Sequence, residues 1–562
     1  MRDFTILTNA VGGSLGLSAA VATIPLLTFF AMLIFVKARA HTAALVALLA
    51  SLIVAVVGFK MPAILAVASA FRGGVFGLFP IVWVIVMALW FYEVTVVSGR
   101  FEDLRRTFDR LGAGDIRIQA ILIAFCFGGL LEALAGFGAP VAITATMILA
   151  LGVKPLKAAV VVLLANTAPV AFGAVAIPIT TAGAVAGRTT EQTENIAAIV
   201  GHQAPFLAFF VPIILLFILD GIKGIRDAWV PAVVIGFSFG IAQWATSNFF
   251  AYQLTDVVAC IFSLGVAVAF LRFWSPRGVP AMRKRLGVGE IKATEELPAR
   301  RIWMALMPYA VVTVIFGIAN LGKTIPDALN AASVTFDWPL LSDRLLTAEG
   351  TPVKSAYTFA WLSNPGTLLL ISGLVVTLLY SIFNEGGRYR ITFAGAFSAM
   401  AHCMVKMRWA ALTIAAVLAL AYVMNFSGQT VAIGQFVASL GAVYGFLAPT
   451  LGWVGTAVTG SDTSANALFG KMQVTAAEGA GYNPDLMLAA NTTGGVVGKM
   501  ISPQSLAIAA TAVSIDGNEA DSPKESDIFK AVVPWSIIML FAVCCLVFLQ
   551  TNVLSFLVAT VG

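Results

Sequence analysis

The chain has 562 residues, of which 59% are apolar and 11% charged, with a mean hydropathy of +0.94. That composition excludes a soluble globular protein, and at about 20 apolar residues per crossing helix there is sequence for ten or more membrane spans. The net charge of +6, from 34 Lys and Arg against 28 Asp and Glu, is dispersed over several loops, so no nucleic-acid partner is expected.

Arg2 and Asp3 precede a mixed stretch that lacks the basic segment and cleavage site of a signal peptide, so the first apolar run, 15–36, is expected to stay as a span. Further runs lie at 42–59, 75–97, 118–132, 139–152, 155–179, 203–220, 228–245, 247–271, 302–321, 365–383, 409–426, 442–459, 464–478, 484–513 and 528–550. The stretch from Arg272 to Arg301 holds eight Lys or Arg residues, and the positive-inside rule puts it in the cytoplasm. The loop at 322–364, with Asp327, Asp337, Asp343 and Glu349 against Lys323, Arg344 and Lys354, then falls outside. Counting from this anchor places Lys37 with Arg39, the stretch from Arg100 to Arg117, and Lys223 with Arg226 inside, and both termini outside.

The segment 118–152 must begin and end on the cytoplasmic side, yet it contains two short apolar arms joined by Ala135-Gly136-Phe137-Gly138-Ala139-Pro140. A re-entrant helical hairpin resolves the parity; a kinked helix pair is the alternative. Backbone without helical hydrogen bonds is tolerated at membrane depth only where it is buried in protein or lines a wet cavity. The Gly-rich tip therefore points to a ligand site.

Two strings repeat. Asn166-Thr167 and Asn491-Thr492 each follow Ala, and each is followed at the same distances by Gly (Gly173, Gly498) and Pro (Pro178, Pro503), 325 residues apart. The same offset carries Gly136 onto Ser461 in Thr459-Gly460-Ser461-Asp462-Thr463-Ser464-Ala465-Asn466, and the spans 42–59 and 203–220 onto 365–383 and 528–550. By the loop charges the second hairpin is entered from outside, so the duplicates are inverted. Paired discontinuous helices in inverted repeats point to a secondary transporter with its substrate near the midplane.

The expected fold is an all-α polytopic membrane protein of about twelve spans, two of them broken, plus two re-entrant helical hairpins. Its parts are an extra span at 1–41; a first repeat at 42–227 with hairpin 118–152 and broken helix 155–179; connecting spans at 228–321 with the basic loop 272–301; the outer loop 322–364; and a second repeat at 365–562 with hairpin 442–478 and broken helix 484–513.

Broken helices offer free N–H groups and partial positive charge to a small anion. Gly136 and Gly138 at the first tip expose such groups. Asn166 and Thr167 at the first break, and Asn491, Thr492 and Thr493 at the expected second break, add side-chain donors, as do Ser461, Thr463, Ser464 and Asn466 at the second tip. These residues are expected to line the substrate site unless they merely satisfy backbone groups orphaned by the breaks. Four ionisable groups need a reason to be there, because charge inside a membrane is costly. Glu132, just before the first tip, is the favoured proton carrier; Asp462 is the competing carrier or an organiser of donors. Lys499 would balance a substrate carboxylate or pair with one of these acids, whereas Lys471 is expected to snorkel. Ser502 and Gln504 flank Pro503 where a helix resumes. Trp90, Trp229 and Trp303 are expected as interface anchors. His41, His202 and His402 lack ligand partners, and the five Cys read as packing residues, so neither metal nor cofactor is expected.

The strings FCFGGLLEALAGFGAPVAITA (125–145), PLKAA (155–159), NTAPVAFGA (166–174), TGSDTSANALF (459–469) and AANTTGGVVGKMISPQS (489–505) resemble those of the bacterial L-lactate permease family, over essentially the whole chain. One departure is that Glu132 is followed by Ala133-Leu134-Ala135-Gly136 where the family pattern has Gly-Ala-Ala-Gly. The resemblance implies a proton-coupled importer of small 2-hydroxy monocarboxylates (L-lactate, D-lactate, glycolate) in the bacterial inner membrane. By analogy with a wider superfamily, hairpins and broken helices would move as an elevator-type unit against a scaffold. The alternative is a sodium-coupled or exchange carrier of small carboxylates. An enzyme would need a nucleophile–base or metal constellation, and no HExxH or close histidine pair occurs. A channel fits two occluding hairpins less well than alternating access. A monomer and a homodimer are equally compatible with the sequence.

Overall fold

The computed structural model describes residues 3–110, 114–134, 136, 138–274, 276–287, 297–320, 324–342, 344–348, 350–353, 355–514, 522–555 and 558. Ala135 and Phe137 of the first tip lie outside the described residues. Helices α1 (Leu15–Ile34), α2 (Ala40–Gly58) and α3 (Ala63–Val97) are followed by α4 (Arg100–Arg110), α5 (Ile116–Leu134), α6 (Ala139–Ala150), α7 (Pro155–Ala165) and α8 (Gly173–Ala186). Then come α9 (Thr190–Phe249), α10 (Thr255–Phe270), α11 (Val279–Leu286), α12 (Ala299–Ala319) and α13 (Thr324–Ala331). The chain continues through α14 (Pro365–Ile382), α15 (Phe393–Ser427), α16 (Gln429–Ala438), α17 (Ala442–Thr459), α18 (Asp462–Ala480), α19 (Pro484–Gly498), α20 (Pro503–Ala512) and α21 (Glu525–Asn552). Among the described residues, ten helices are long and apolar enough to cross a membrane. The protein is a polytopic, all-helical membrane protein.

The helix starts are written locally. Asn364, Asn483 and Ser502 each precede a proline at the first helical position, and each side-chain oxygen accepts a backbone N–H of the first turn, as in Asn364 Oδ1 to Gly366 N–H at 2.8 Å. The cap satisfies an orphan donor while proline presets the helical φ. α9 is two helices in one, turned at Gly221 (φ +66°), a conformation a side chain would strain.

α3 and α15, 35 residues each, form a frame with α2 and α14. Both run well beyond the apolar runs 75–97 and 409–426, because Arg72 and the polar start of α15 interrupt the hydropathy without interrupting the helix. Arg72 is buried: its guanidinium donates to the Ser355 and Ala356 carbonyls at 3.0 and 2.7 Å and lies 4.8 Å from the Tyr422 ring centre. It ties the 322–364 loop into the frame. That loop carries its own structure, with β2 (Val334–Phe336) antiparallel to β4 (Tyr357–Phe359) and β3 (Leu345–Leu346) parallel to the N-terminal β1 (Phe4–Thr5). The N-terminus and the loop therefore share one face. Burial pushes the Tyr357 phenol up to about 12, against the pull of Arg72, so its hydroxyl stays a donor to the Phe79 carbonyl at 2.7 Å. Trp90, expected at the interface, is fully buried: Gly373 leaves room for its ring and its N–H reaches the Ala396 carbonyl at 2.7 Å. Trp229 and Trp303 are exposed.

At the other end of α3, Asp103 pairs with Arg301 and accepts from the Tyr389 hydroxyl at 2.5 Å, while Arg100 bonds Glu385 at 3.0 Å. Arg117, also fully buried, bonds Asp115, Asp220 and Asp227 at 2.7, 2.9 and 3.3 Å, and Arg285 joins the same Asp220. These charges bind the mouth of the first hairpin to the turn of α9 and to the basic 272–301 stretch.

The remaining helices interlock. α8 packs on α18 and α20 packs on α6; α9 packs on α19 and α21 on α7. The tightest crossing is α17 on α19. A Cβ on Gly452 would stand 1.8 Å from the Asn491 carbonyl oxygen, and one on Gly494 would stand 1.9 Å from that of Pro449. Both obstacles are backbone, so neither can swing away. Gly494→Ala is expected to part the two helices and cost about 1–3 kcal/mol of stability, the usual range for overpacking. Thermal melting in detergent checks it; an unchanged midpoint would show that the crossing has slack.

Candidate substrate site between two hairpins and two interrupted helices

At the first tip Gly136 and Gly138 take positive φ (+51° and +86°), and a Cβ on Gly138 would lie 2.2 Å from Ile508 of α20. Glu132, in the last turn of α5, is buried and points past Gly173, whose Cβ would meet its Oε1 at 3.2 Å. Gly173 starts the helix after the first break. Between Ala165 and Gly173 the chain leaves α-helical geometry, and beyond it Ala174, Val175 and Ala176 all adopt left-handed φ (+45°, +61° and +57°). Three successive non-glycine residues in that region store strain of the kind found at functional sites. Asn166 ends α7; its Oδ1 is buried without a hydrogen-bond partner, while the Thr167 hydroxyl donates to the Leu164 carbonyl at 2.6 Å.

The second half differs from the expectation. Asn491, Thr492 and Thr493 are not at a break: α19 runs helical through them to Gly498, and the interruption falls at Lys499–Ile501 and Ser502. Gly494 and Gly498 serve close packing on α17, and Pro503 with its Ser502 cap sets the break later. Asn491 and Thr492 instead donate to Asn466 Oδ1 at 2.8 and 3.1 Å, and Asn466 Nδ2 donates to the Pro178 carbonyl of α8 at 3.2 Å. Thr493 donates to Gln203 Oε1 at 2.6 Å. These polar groups fasten the second hairpin to both interrupted helices.

Gly460 (φ +76°) makes the second tip, where Ser461 Oγ accepts the Ser464 N–H at 3.2 Å and Gln504 lies over Gly460. Thr463 is half-buried beside them. Asp462, in the first turn of α18, is buried; Oδ1 accepts the Thr456 hydroxyl at 3.4 Å and Oδ2 has no partner. Ser502 caps α20 and donates to Ser505 Oγ at 2.9 Å.

The two halves meet in one ion pair: the Lys499 ammonium bonds Glu132 Oε1, and Glu132 Oε2 is buried without a partner. Leu163, Asn166, Thr167, Lys499, Met500 and Ser505 wall a crevice beside the pair with no room for a water molecule. The structure thus brings Glu132, Gly136, Asn166, Thr167, Lys499 and Ser502 to one place. Ser461, Asp462 and Gln504 form a second cluster at the other tip, and Asn466, Asn491, Thr492 and Thr493 lie in the packing between helices. Asp256 was missed. It is fully buried at the start of α10, and the available signal was a single acid inside the apolar run 247–271. Lys471 is half-buried on α18.

A cation held by one half of the chain and an acid held by the other, both beside a helix break, can exchange partners with a small carboxylate. Comparison with known proteins bears on what the chain is. The family model for L-lactate permease matches residues 18–554. The chain is 37% identical to the L-lactate permease of Bacillus subtilis over 98% of each chain, 37% identical to the glycolate permease GlcA of Escherichia coli K12 over 97% of each, and 36% identical to the L-lactate permease of that strain over 97% and 98%. Among solved structures it is similar to the YdaH transporter of Alcanivorax borkumensis, at 16% identity and a TM-score of 0.31 over 72% of this chain and 86% of that one, too distant to carry an argument. With the match extending over both hairpins and both interrupted helices, this multi-pass membrane protein is a permease rather than an enzyme, and it belongs to the L-lactate permease family.

Proposed function

We propose that the protein imports L-lactate, glycolate and related small 2-hydroxy monocarboxylates, D-lactate included, by proton symport across the bacterial inner membrane, with both termini outside. The observation that carries this reading is the Lys499–Glu132 pair beside a crevice lined by Asn166 and Thr167. Charge counting gives the coupling. The empty site holds one ammonium and one carboxylate and is neutral. A substrate carboxylate that takes Lys499 leaves Glu132 without a counter-ion in a buried place, which is costly unless it binds a proton. Loaded with substrate and proton the site is neutral again, so both forms can cross the hydrocarbon while the half-loaded forms cannot.

Two inverted halves supply the frame for this cycle. The reading is supported by the recurrence of the order of α2 to α9 in α14 to α21, with α3 and α15 of equal length, and by the reciprocal packing of α8 on α18 and α20 on α6. The hairpins and interrupted helices move together against α2, α3, α14 and α15. The Thr167 and Ser502 hydroxyls, whose own protons are bonded to Leu164 and Ser505, accept from a substrate hydroxyl; the Asn166 Nδ2 donates to its carboxylate, and the unpartnered Oδ1 is left to accept.

The test is uptake of labelled L-lactate into proteoliposomes in sodium-free buffer, with and without an inward proton gradient. Accumulation that needs the gradient and is blocked by glycolate is expected; uptake rescued only by sodium or by internal substrate would replace symport with a sodium-coupled or exchange carrier. Asn166→Ala should raise the half-saturating lactate concentration about tenfold, the loss of one hydrogen bond to a charged group. Unchanged saturation would remove Asn166 from the site.

A further inference from the structure

Asp256 takes no part in the cycle described so far, yet it is placed to act on it. It is fully buried within a membrane-spanning helix, and among the described residues no Lys, Arg or His forms an ion pair with it. Oδ1 accepts from Gln243 Nε2 at 2.8 Å, and Oδ2 has no hydrogen-bond partner. The same Gln243 nitrogen donates to the Ala168 carbonyl at 3.2 Å, inside the first helix break, two residues from Asn166. One turn along α10, Cys260 touches Gly129, whose Cβ would meet its Sγ at 2.8 Å, and Gly129 lies one turn before Glu132 on α5. Asp256 and Glu132 therefore lie on opposite sides of the α5–α10 contact, near enough for their charges to interact but not hydrogen-bonded to each other.

The surroundings offer no compensation. α5 contributes Glu132 and Cys126, α10 itself Cys260, and the turn before it Tyr252, which lies near Glu194. The part of α9 packed here, 228–249, has no titratable side chain, and α12 has its charges only at Arg300 and Arg301, of which Arg301 is bound to Asp103. An ionised carboxylate with one neutral donor and no cation in a dry interior is strongly disfavoured.

Resting on the symport reading above, we infer that Asp256 holds a proton in this conformation and passes it to Glu132 when the substrate carboxylate takes Lys499. Released from Lys499, the Glu132 side chain turns to meet Asp256; the O–H bond at Asp256 Oδ2 then breaks and one forms at Glu132 Oε2. Asp256, left as a carboxylate, recovers a proton from the side open to water, so one proton moves per substrate. Gln243 ties this event to the helix break, because the amide that holds Asp256 also holds Ala168.

The experiment compares Asp256→Asn with the unmodified protein in proteoliposomes over a range of external pH. The relay predicts at least a tenfold loss of gradient-driven lactate accumulation at neutral pH, recovered on acidification because Glu132 then protonates directly, with exchange of lactate for lactate kept within about threefold. Normal accumulation by Asp256→Asn at every pH overturns the relay alone. A folded variant that stays inactive at every pH overturns it in favour of a structural role. Lack of gradient-driven accumulation by the unmodified protein overturns symport and relay together. Should Asp256→Asn not fold, infrared spectra of the intact protein labelled with carbon-13 aspartate decide: a protonated aspartate carbonyl band that persists in Asp462→Asn supports the inference, and its absence from the unmodified protein overturns it.

Discussion

Lys499→Ala is expected to abolish lactate uptake, by more than a hundredfold, and to lower the stability of the folded protein as well. The two effects have separate causes. Removing one partner of a buried ion pair leaves the other as an uncompensated charge, at about 3–5 kcal/mol, and Glu132 has no other cation bonded to it among the described residues. That part of the loss belongs to folding and should disappear when the acid is neutralised too. Glu132→Gln with Lys499→Ala should therefore melt closer to the unmodified protein than Lys499→Ala alone. Transport should not return, because the double variant has no cation to meet a substrate carboxylate. Uptake in proteoliposomes and melting in detergent, measured on the single and double variants, separate the two contributions. A double variant that transports would mean that Lys499 only balances Glu132 and never meets the substrate.

Much of this site was legible in the sequence because membrane physics restricts what a polar residue can be doing. Glu132, Asp462 and Lys499 stood out as charges in apolar surroundings, and Gly136 and Gly138 as a turn at a depth where turns are rare. The 325-residue offset pointed to both regions at once. What failed was the inference from matching strings to matching geometry. Asn166 does end a helix, but its counterpart Asn491 lies inside one, since Gly494 and Gly498 meet the backbone of α17 and a glycine used for close approach looks the same in sequence as one used for a turn. Arg72 and Asp256 escaped for the opposite reason. Arg72 lies just before the apolar run 75–97 and Asp256 within the run 247–271, and only the fold reveals that the partners are carbonyls of the distant 355–356 segment for one and a single glutamine for the other. The pairing of Lys499 with Glu132 joins residues 367 positions apart and could be named in advance only as one option among several.

Glu132→Gln is expected to divide the two transport modes. Glutamine keeps the size of the side chain and leaves Lys499 free of its internal competitor, so the substrate carboxylate no longer has to displace an anion. Lactate should bind at least as well as before, and the loaded site, with Lys499 and the substrate carboxylate, stays neutral without a proton. Exchange of lactate across the membrane should thus survive. The return of the empty carrier should not: with glutamine at 132 the unloaded site carries the bare Lys499 charge, which the hydrocarbon opposes. Net uptake should fall by more than tenfold, and the remaining flux should no longer respond to a proton gradient, while counterflow stays within a few fold of normal. Measuring counterflow and gradient-driven accumulation on the same proteoliposomes tests both halves of the argument. If both modes are lost together in a folded protein, Glu132 supports the architecture of the site rather than its coupling; if accumulation is normal, Asp462, the other buried acid with an unpartnered oxygen beside a tip, becomes the carrier of the proton.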